Sequence, residues 1–281
     1  MSGGMLLLSD DLPALSRDRL DIASKLFPIT GASAIPLDLH CTDKILPSKL
    51  RVWCRDKEHF NQMKNGSLLG EGKFSDRGQK RNSIIMAEGL GNWGCISVSN
   101  WREYPDSLRI PLSSFFEESN ENLINNHQNG YHAFSFWNQS YVWIPRQQSF
   151  KSRSVSKLLG PHESEIFHIK HVQDKVQYIG SDFHFSCGFE VEALNVNVMT
   201  VSIRLKLLLQ RFGYLFVFIP YDCEIDVTMN GIKYAASEIM KVPMTSDVDT
   251  KLKFGKVFKI PAEVKLDGSV DDGHVLVEIL Q

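Results

Sequence analysis

Alternation of apolar and polar residues with a period of two is the feature that most constrains the fold of this chain. It is clearest from Asp182 to Ala193, where every odd-numbered residue is apolar or a thiol and every even-numbered one except Gly188 is polar. A strand turns successive side chains to opposite faces, whereas a helix repeats every 3.6 residues. The pattern predicts a long strand over 182–194 with one face in the core.

The rest of the second half repeats this pattern. Alternating residues follow Val201, and the run Tyr214–Ile219 is apolar on both faces, as in a central strand. Asn230-Gly231 lies between two alternating runs, which is a strong signal for a β-hairpin. Further strands are predicted over 165–172, 176–180, 252–260 and 274–280. We therefore predict a mainly β fold, an antiparallel sandwich or jelly-roll-like barrel, with two or three short helices.

The first half is predicted to mix short strands with two helices. The strands are 50–55, 83–87 and 95–101, followed by an aromatic hairpin over 131–137 and 141–145. Acidic residues and a proline at the start predict an amphipathic helix over 12–27, which either packs on the core or serves as an arm exchanged with a second subunit. Ser114 and Glu117 form a capping box that predicts a helix over about 114–126.

A basic, serine-rich segment over 146–160 divides the chain in this interpretation. It carries four positive charges and four serines but no acidic residue, which is typical of a linker. All five tryptophans precede it. The predicted organisation is an N-terminal mixed β region (1–145), the linker (146–160) and an antiparallel β domain (161–281).

Composition indicates a water-soluble, intracellular protein. The formal net charge is −2, which argues against a strongly basic nucleic-acid module. The five cysteines are an odd number without a Cys-x-x-Cys pair, and we recognise no signal peptide. We therefore expect free thiols in the cytoplasm. No apolar run reaches about 18 residues, so no transmembrane segment is expected.

A glycine motif and a pair of histidines resemble known binding sites, but neither predicts a cofactor or metal site here. Gly89-x-Gly91-x-x-Gly94 matches a dinucleotide fingerprint, but a strand-forming run follows where that motif needs a helix. We interpret it as a glycine-rich turn. His168 and His171 would point to opposite faces of one strand, so they cannot bind a metal together. We predict no catalytic residues, no metal and no cofactor.

The basic segment is the candidate binding site. Arg146, Lys151, Arg153 and Lys157 could contact phosphates, and aromatic residues nearby could stack on bases. The alternative is a solvated linker beside a packed aromatic hairpin.

Two short patches resemble the tobamovirus type of plant-virus movement protein. They are Lys44-Ile-Leu-Pro-Ser48, which precedes a short strand, and the stretch that opens at Gly188-Phe189 and runs on to Arg204. The resemblance implies a cytosolic, β-rich RNA-binding protein that acts at cell–cell channels. The aspartate characteristic of that family has no match, since Asn100 follows Cys95–Ser99 instead. A viral matrix or capsid-associated protein accounts equally well for the composition.

We expect a non-enzymatic structural protein that assembles through protein–protein surfaces, of the viral matrix or capsid-associated type. Its partners would be itself, as a homo-oligomer, and other structural proteins. The first alternative is an RNA-binding or movement-type viral protein that uses the segment 146–157. The second is a hydrolase whose triad the sequence does not reveal.

Overall fold

The computed structural model describes residues 14–38, 46–58, 61, 82–116, 129–145, 154–206, 211–244, 253–264 and 273–280, and over them the chain is mainly β, as predicted. One α-helix, α1 (Arg17–Ser24), precedes the strands. The strands are β1 (Ile35–Pro36), β2 (Lys49–Asp56), β3 (Ser83–Met86), β4 (Trp93–Ser99), β5 (Asp106–Pro111), β6 (Tyr131–Ser135), β7 (Ser140–Ile144), β8 (Ser154–Leu159), β9 (Ser164–His171), β10 (Gln177–Ser181), β11 (Val191–Val196), β12 (Thr200–Leu205), β13 (Arg211–Ile219), β14 (Glu224–Met229), β15 (Ile232–Tyr234), β16 (Ser237–Met244), β17 (Lys253–Val264) and β18 (His274–Leu280).

These strands form three larger sheets and one small one. The seven-stranded sheet has the order β1-β2-β4-β9-β6-β7, with β3 parallel to β2. The four-stranded sheet is β10-β13-β17-β16, and the five-stranded sheet is β11-β12-β18-β14-β15. All other pairings among the described strands are antiparallel, and none of the described sheets closes into a barrel. Of the two predicted architectures, the structure is a sandwich.

The four-stranded sheet is the middle layer. Successive residues of β13 from Leu215 to Ile219 are all buried, so both faces of this strand are covered. On one side Phe216 stacks against Phe134 of β6, with 4.7 Å between ring centroids. On the other side Asn230 of the five-stranded sheet donates to the Glu263 carbonyl of β17. The predicted central strand 214–219 is therefore confirmed.

The small sheet of β5 and β8 covers the outer face of the seven-stranded sheet. Leu108, Ile110 and Leu159 pack there on Ile96 and Ile169 in a second apolar core. The segment 154–159, predicted as part of a linker, is thus a strand paired with 106–111 along its length. Its inward residues alternate with exposed ones, a short period-two pattern that the serines and basic residues obscured.

Strand β9 joins the two halves of the chain. It follows the predicted linker, yet it lies between β4 and β6 of the seven-stranded sheet, hydrogen-bonded to both. One continuous sheet therefore contains strands from both sides of the predicted boundary at 146–160.

The predicted long strand over 182–194 is wrong for its first nine residues. The structure has bends and turns from 182 to 190, and only Val191–Val196 is a strand. Cys187 has a φ of 50° and its N–H bonds to the His184 carbonyl, which closes a turn. Alternation failed as a guide because residues 182–190 are buried on both sides, apart from a partly exposed Phe189.

The helices are shorter than predicted. Helix α1 begins after Ser16, whose hydroxyl accepts from the Arg19 N–H, instead of at residue 12. None of its residues is buried, and Leu26 beyond its end packs on the core instead. The predicted helix 114–126 overlaps a 3-10 turn at Leu112–Phe115, and its residues from 117 onward lie outside the described part.

Candidate functional site

Among the described residues, a dense group of reactive side chains lies in the core, around the turn segment 182–190. Glu190 is buried there and accepts three hydrogen bonds. Its Oε1 receives the hydroxyls of Tyr178 (2.6 Å) and Ser181 (2.5 Å), and its Oε2 receives the Gly188 N–H (2.7 Å). Burial raises the pKa of Glu190, and the hydrogen bonds to its carboxylate oppose that shift. We call Lys170, Tyr178, Ser181 and Glu190 the polar core cluster.

Lys170 supplies the positive charge of this cluster. Its Nζ donates to the Tyr178 carbonyl over 2.7 Å and lies 3.3 Å from the centroid of the Trp93 ring. Burial lowers the pKa of Lys170 to about 7, although Glu190 and two thiols nearby favour the charged form. A cation against an aromatic face in a dry site is a favourable contact, so Trp93 partly replaces the lost water.

Three histidines in the described part of the chain, His132, His168 and His184, are buried core residues with defined tautomers. The indole N–H of Trp93 can only donate, so His168 accepts at Nδ1 (3.1 Å) and donates from Nε2 to the Phe185 carbonyl (2.9 Å). His132 donates from Nε2 to Gln177 Oε1, and His184 does so to the Pro28 carbonyl. Burial lowers the pKa of each of these imidazoles to about 3.

His168 and His171 lie on opposite faces of β9, as predicted, and each face belongs to a different core. His168 faces Trp93 in the main core, whereas His171 stacks on Phe116 (4.2 Å between ring centroids) and Tyr131 in the second core. Within the described residues, no group of three or more His, Cys, Asp or Glu side chains could hold a metal ion.

The cysteines of the core are unreactive in this setting. Cys54, Cys95 and Cys187 are free and buried, and burial raises the pKa of each thiol. Since the thiolate is the reactive form, these groups behave as apolar filler. The polar core cluster therefore holds nucleophiles and acids in contact with one another rather than with solvent. A small cavity lined in part by Phe183, Glu190 and Lys206 reaches its margin.

The glycine motif forms a turn, as interpreted from the sequence. Gly89 and Gly91 have φ values of 85° and 79°, and the chain continues directly into β4. Gly94 lies inside that strand against the backbone of Phe115, where a Cβ would lie 2.8 Å from the carbonyl oxygen. Its role is close packing.

Of the predicted phosphate-binding residues, only one is described. Arg146, Lys151 and Arg153 lie outside the described residues. Lys157 lies on β8, with its Nζ 3.7 Å from Oε2 of Glu165. That carboxylate is buried and also accepts from the Trp137 N–H and the Asn138 amide. The charge of Lys157 is thus already opposed by a carboxylate of the same chain.

One exposed apolar group has no counterpart among the residues predicted from the sequence. We call it the hairpin-tip patch: Val196, Val198, Met199 and Leu280. Residues 197–199 join β11 to β12, and the Ile279 N–H bonds to the Met199 carbonyl (2.8 Å), which brings the end of β18 beside this turn. Val198 is 79% exposed, and the other three are also exposed. The run Val-Asn-Val-Met at a predicted strand end was the available signal.

No helix within the described ranges is long and apolar enough to cross a membrane. No family model matches the sequence, and no curated protein matches it at a significant level.

Proposed function

We propose that this chain is a non-enzymatic structural protein that assembles through protein–protein surfaces, as viral matrix and capsid-associated proteins do. Copies of itself are the principal partner, and other structural proteins are secondary ones. The observation that carries the proposal is the hairpin-tip patch, four exposed apolar side chains gathered at one end of the five-stranded sheet.

The patch has the properties of a contact surface. Each Å² of apolar surface removed from water contributes about 25 cal/mol, and clustered exposed apolar residues mark interaction sites. The backbone beneath the patch is held in place, since the Tyr221 hydroxyl donates to the Val198 carbonyl (3.3 Å) and Ile279 binds the Met199 carbonyl. A partner would therefore bind a turn that is already ordered, which lowers the entropic cost of association.

The interior supports a non-enzymatic role. Within the polar core cluster the Tyr178 and Ser181 hydroxyls hydrogen-bond to Glu190, Lys170 donates to the Tyr178 carbonyl, and the described core thiols are buried with raised pKa values. These groups specify how the core packs. The free, buried cysteines also suit a reducing compartment, and we propose a cytoplasmic location, or a virion-associated one if the protein is viral.

The test is the solution mass by light scattering over a range of protein concentrations, at low and high salt. We expect oligomers that ignore single-stranded RNA, and we expect Val198→Asp with Met199→Asp to lower their mass. Ile232→Asp is the matched control, because Ile232 is 53% exposed on β15 at the opposite end of the same sheet.

Two results would contradict the proposal. A wild-type chain that stays monomeric at all concentrations would rule out self-assembly. A monomer that gains mass only with RNA at low salt would replace assembly with RNA binding by the segment 146–157.

A further inference from the structure

The outer edge of β7 differs from the edges formed by β11, β15 and β16. β7 ends the seven-stranded sheet and pairs with β6, but with no other strand within the described residues. Val142 in its middle is 54% exposed. An edge strand presents unpaired N–H and C=O groups that can pair with another chain.

Natural edge strands are commonly protected by charge, proline or a bulge. β16 carries Glu238 and Lys241 and has a bulge, and β11 has a bulge beside Glu192. β15 has only three residues and includes Lys233. By contrast, the sequence from 133 to 145 has no charged residue, and β7 reads Ser-Tyr-Val-Trp-Ile with no bulge in its pairing to β6.

The aromatic side chains of β7 are fixed in place. The Tyr141 hydroxyl donates to Nδ1 of His132 over 2.8 Å, since Nε2 of that ring donates to Gln177. The indole N–H of Trp143 donates to the Asn129 carbonyl over 2.9 Å. Both side chains pack on the main core. A partner strand would meet an ordered edge and would not have to order it.

We propose that β7 pairs antiparallel with β7 of a second copy of this chain, about a two-fold axis at Val142, so that the two seven-stranded sheets become one. This rests on the proposed function and names the surface by which two copies meet. In this register Val142 faces its own equivalent, and Tyr141 faces Trp143 of the other copy.

A second copy is the occupant that the strand itself favours. Like charges placed opposite each other are the usual obstacle when an edge pairs with itself, and β7 has none. Two-fold pairing brings an aromatic pair together twice, on the same face, and aromatic cross-strand pairs stabilise sheets. It also covers Val142 of both copies.

The first test is Val142→Lys, which places two ammonium groups against each other at the axis. Its matched control is Ile232→Lys, with nearly the same exposure (53%) on another edge strand. We expect the mass from light scattering to fall for Val142→Lys and to stay unchanged for Ile232→Lys. Combined with the hairpin-tip substitutions, Val142→Lys should give a monomer. Circular dichroism and thermal melting check that each variant folds.

A crosslinking test does not depend on disrupting the edge. Facing residues of an antiparallel pair have Cα atoms about 4.5 or 5.5 Å apart, within the span of a disulfide. In a Cys41→Ser background, Val142→Cys should give a disulfide-linked dimer on mild oxidation, and Ile232→Cys should not. The other native cysteines are buried.

The outcomes separate this inference from the proposed function. Oligomers that lose mass with the hairpin-tip substitutions, ignore Val142→Lys and give no Val142→Cys dimer would overturn β7 pairing and leave assembly standing. If the β7 edge binds a different protein instead, Val142→Cys would also give no disulfide-linked dimer, and pairing between two copies would again be overturned. A wild-type monomer would overturn both.

Discussion

The hydroxyl of Tyr178 donates to Oε1 of Glu190 over 2.6 Å in the interior of the protein, 12 positions apart in the chain. The bond ties β10 to the end of the turn segment 182–190, just before β11 begins. It therefore links a strand of the middle sheet to the first strand of the five-stranded sheet. Removing either partner should disturb the junction between these two layers.

Glu190→Ala should destabilise the fold by more than about 3 kcal/mol, because two hydroxyls and one N–H lose their acceptor and Lys170 loses a buried carboxylate that favours its charged form. Urea unfolding followed by tryptophan fluorescence measures the loss. Glu192→Ala, an exposed residue on the adjoining strand, is the control and should stay within about 0.5 kcal/mol. A loss of stability in Glu190→Ala as small as the loss in Glu192→Ala would mean that the polar core cluster adds nothing to stability.

The buried histidines should make the protein sensitive to acid. The pKa of His132 is about 3 in the folded chain but about 6.5 when unfolded, because burial disfavours the imidazolium. Its contribution to stability is fully present above pH 6.5 and is lost as the pH falls toward 3, at up to about 1.4 kcal/mol per unit.

The variant His132→Gln tests this dependence. It should be less stable than wild type at pH 8, and the difference should shrink between pH 6.5 and 4.5 in denaturant titrations. The exposed His162→Gln is the control and should follow the wild-type curve. A constant difference between His132→Gln and wild type across this range would contradict the assigned neutral tautomer.

Lys170 should make the stability of the protein depend on pH in the alkaline range. Burial holds the folded pKa of Lys170 at about 7 against about 10.4 when unfolded, so the unfolded chain binds more protons between these values. Stability from this residue therefore rises as the pH increases from 7 to 10. Buried thiols titrate nearby, so the informative quantity is the difference between wild type and Lys170→Met. That difference in stability should change with pH. The difference between wild type and the variant of the exposed Lys175, Lys175→Met, should stay constant over the same range.

Gly94→Ala should cost about 1–3 kcal/mol, because the added Cβ would lie 2.8 Å from the Phe115 carbonyl oxygen and 2.9 Å from its Cα. Backbone atoms cannot move aside as a flexible side chain can. Gly91→Asn is the control: a Cβ there meets open space, and asparagine tolerates its φ of 79°. Thermal melting that ranks Gly91→Asn below Gly94→Ala in stability would contradict the packing role of Gly94.

Short sequence patterns predicted the fold correctly where the residues of a single turn or a single strand were enough to determine the local structure. Asn230 and Gly231 both have positive φ and join β14 to β15, as their residue types require. The apolar run 214–219 lies in the middle sheet because it has no polar face to leave in water. These features depend on short stretches of chain.

Longer-range packing decided what the sequence could not reveal. Residues 182–190 alternate like a strand, but Gly188 approaches Met86 and Trp93 so closely that a Cβ would lie 2.5 Å from the methionine sulfur. Polar side chains of the predicted wet face, such as Glu190, are buried against partners elsewhere in the chain. The hairpin-tip patch likewise depends on β18 reaching the turn at 197–199.

The position of β9 determines when the seven-stranded sheet can form as the chain is synthesised on a ribosome. β4 and β6 each lack a neighbour until residues 164–171 have been synthesised, so the seven-stranded sheet stays open while its uncharged hairpin of β6 and β7 is already made. Such late, non-local pairing is slow, and it leaves unpaired strand edges that are prone to aggregation exposed during synthesis. A fragment that stops before Ser164 is therefore expected to aggregate, and a delay in translation just upstream of β9 would prolong the most vulnerable stage in the life of the molecule.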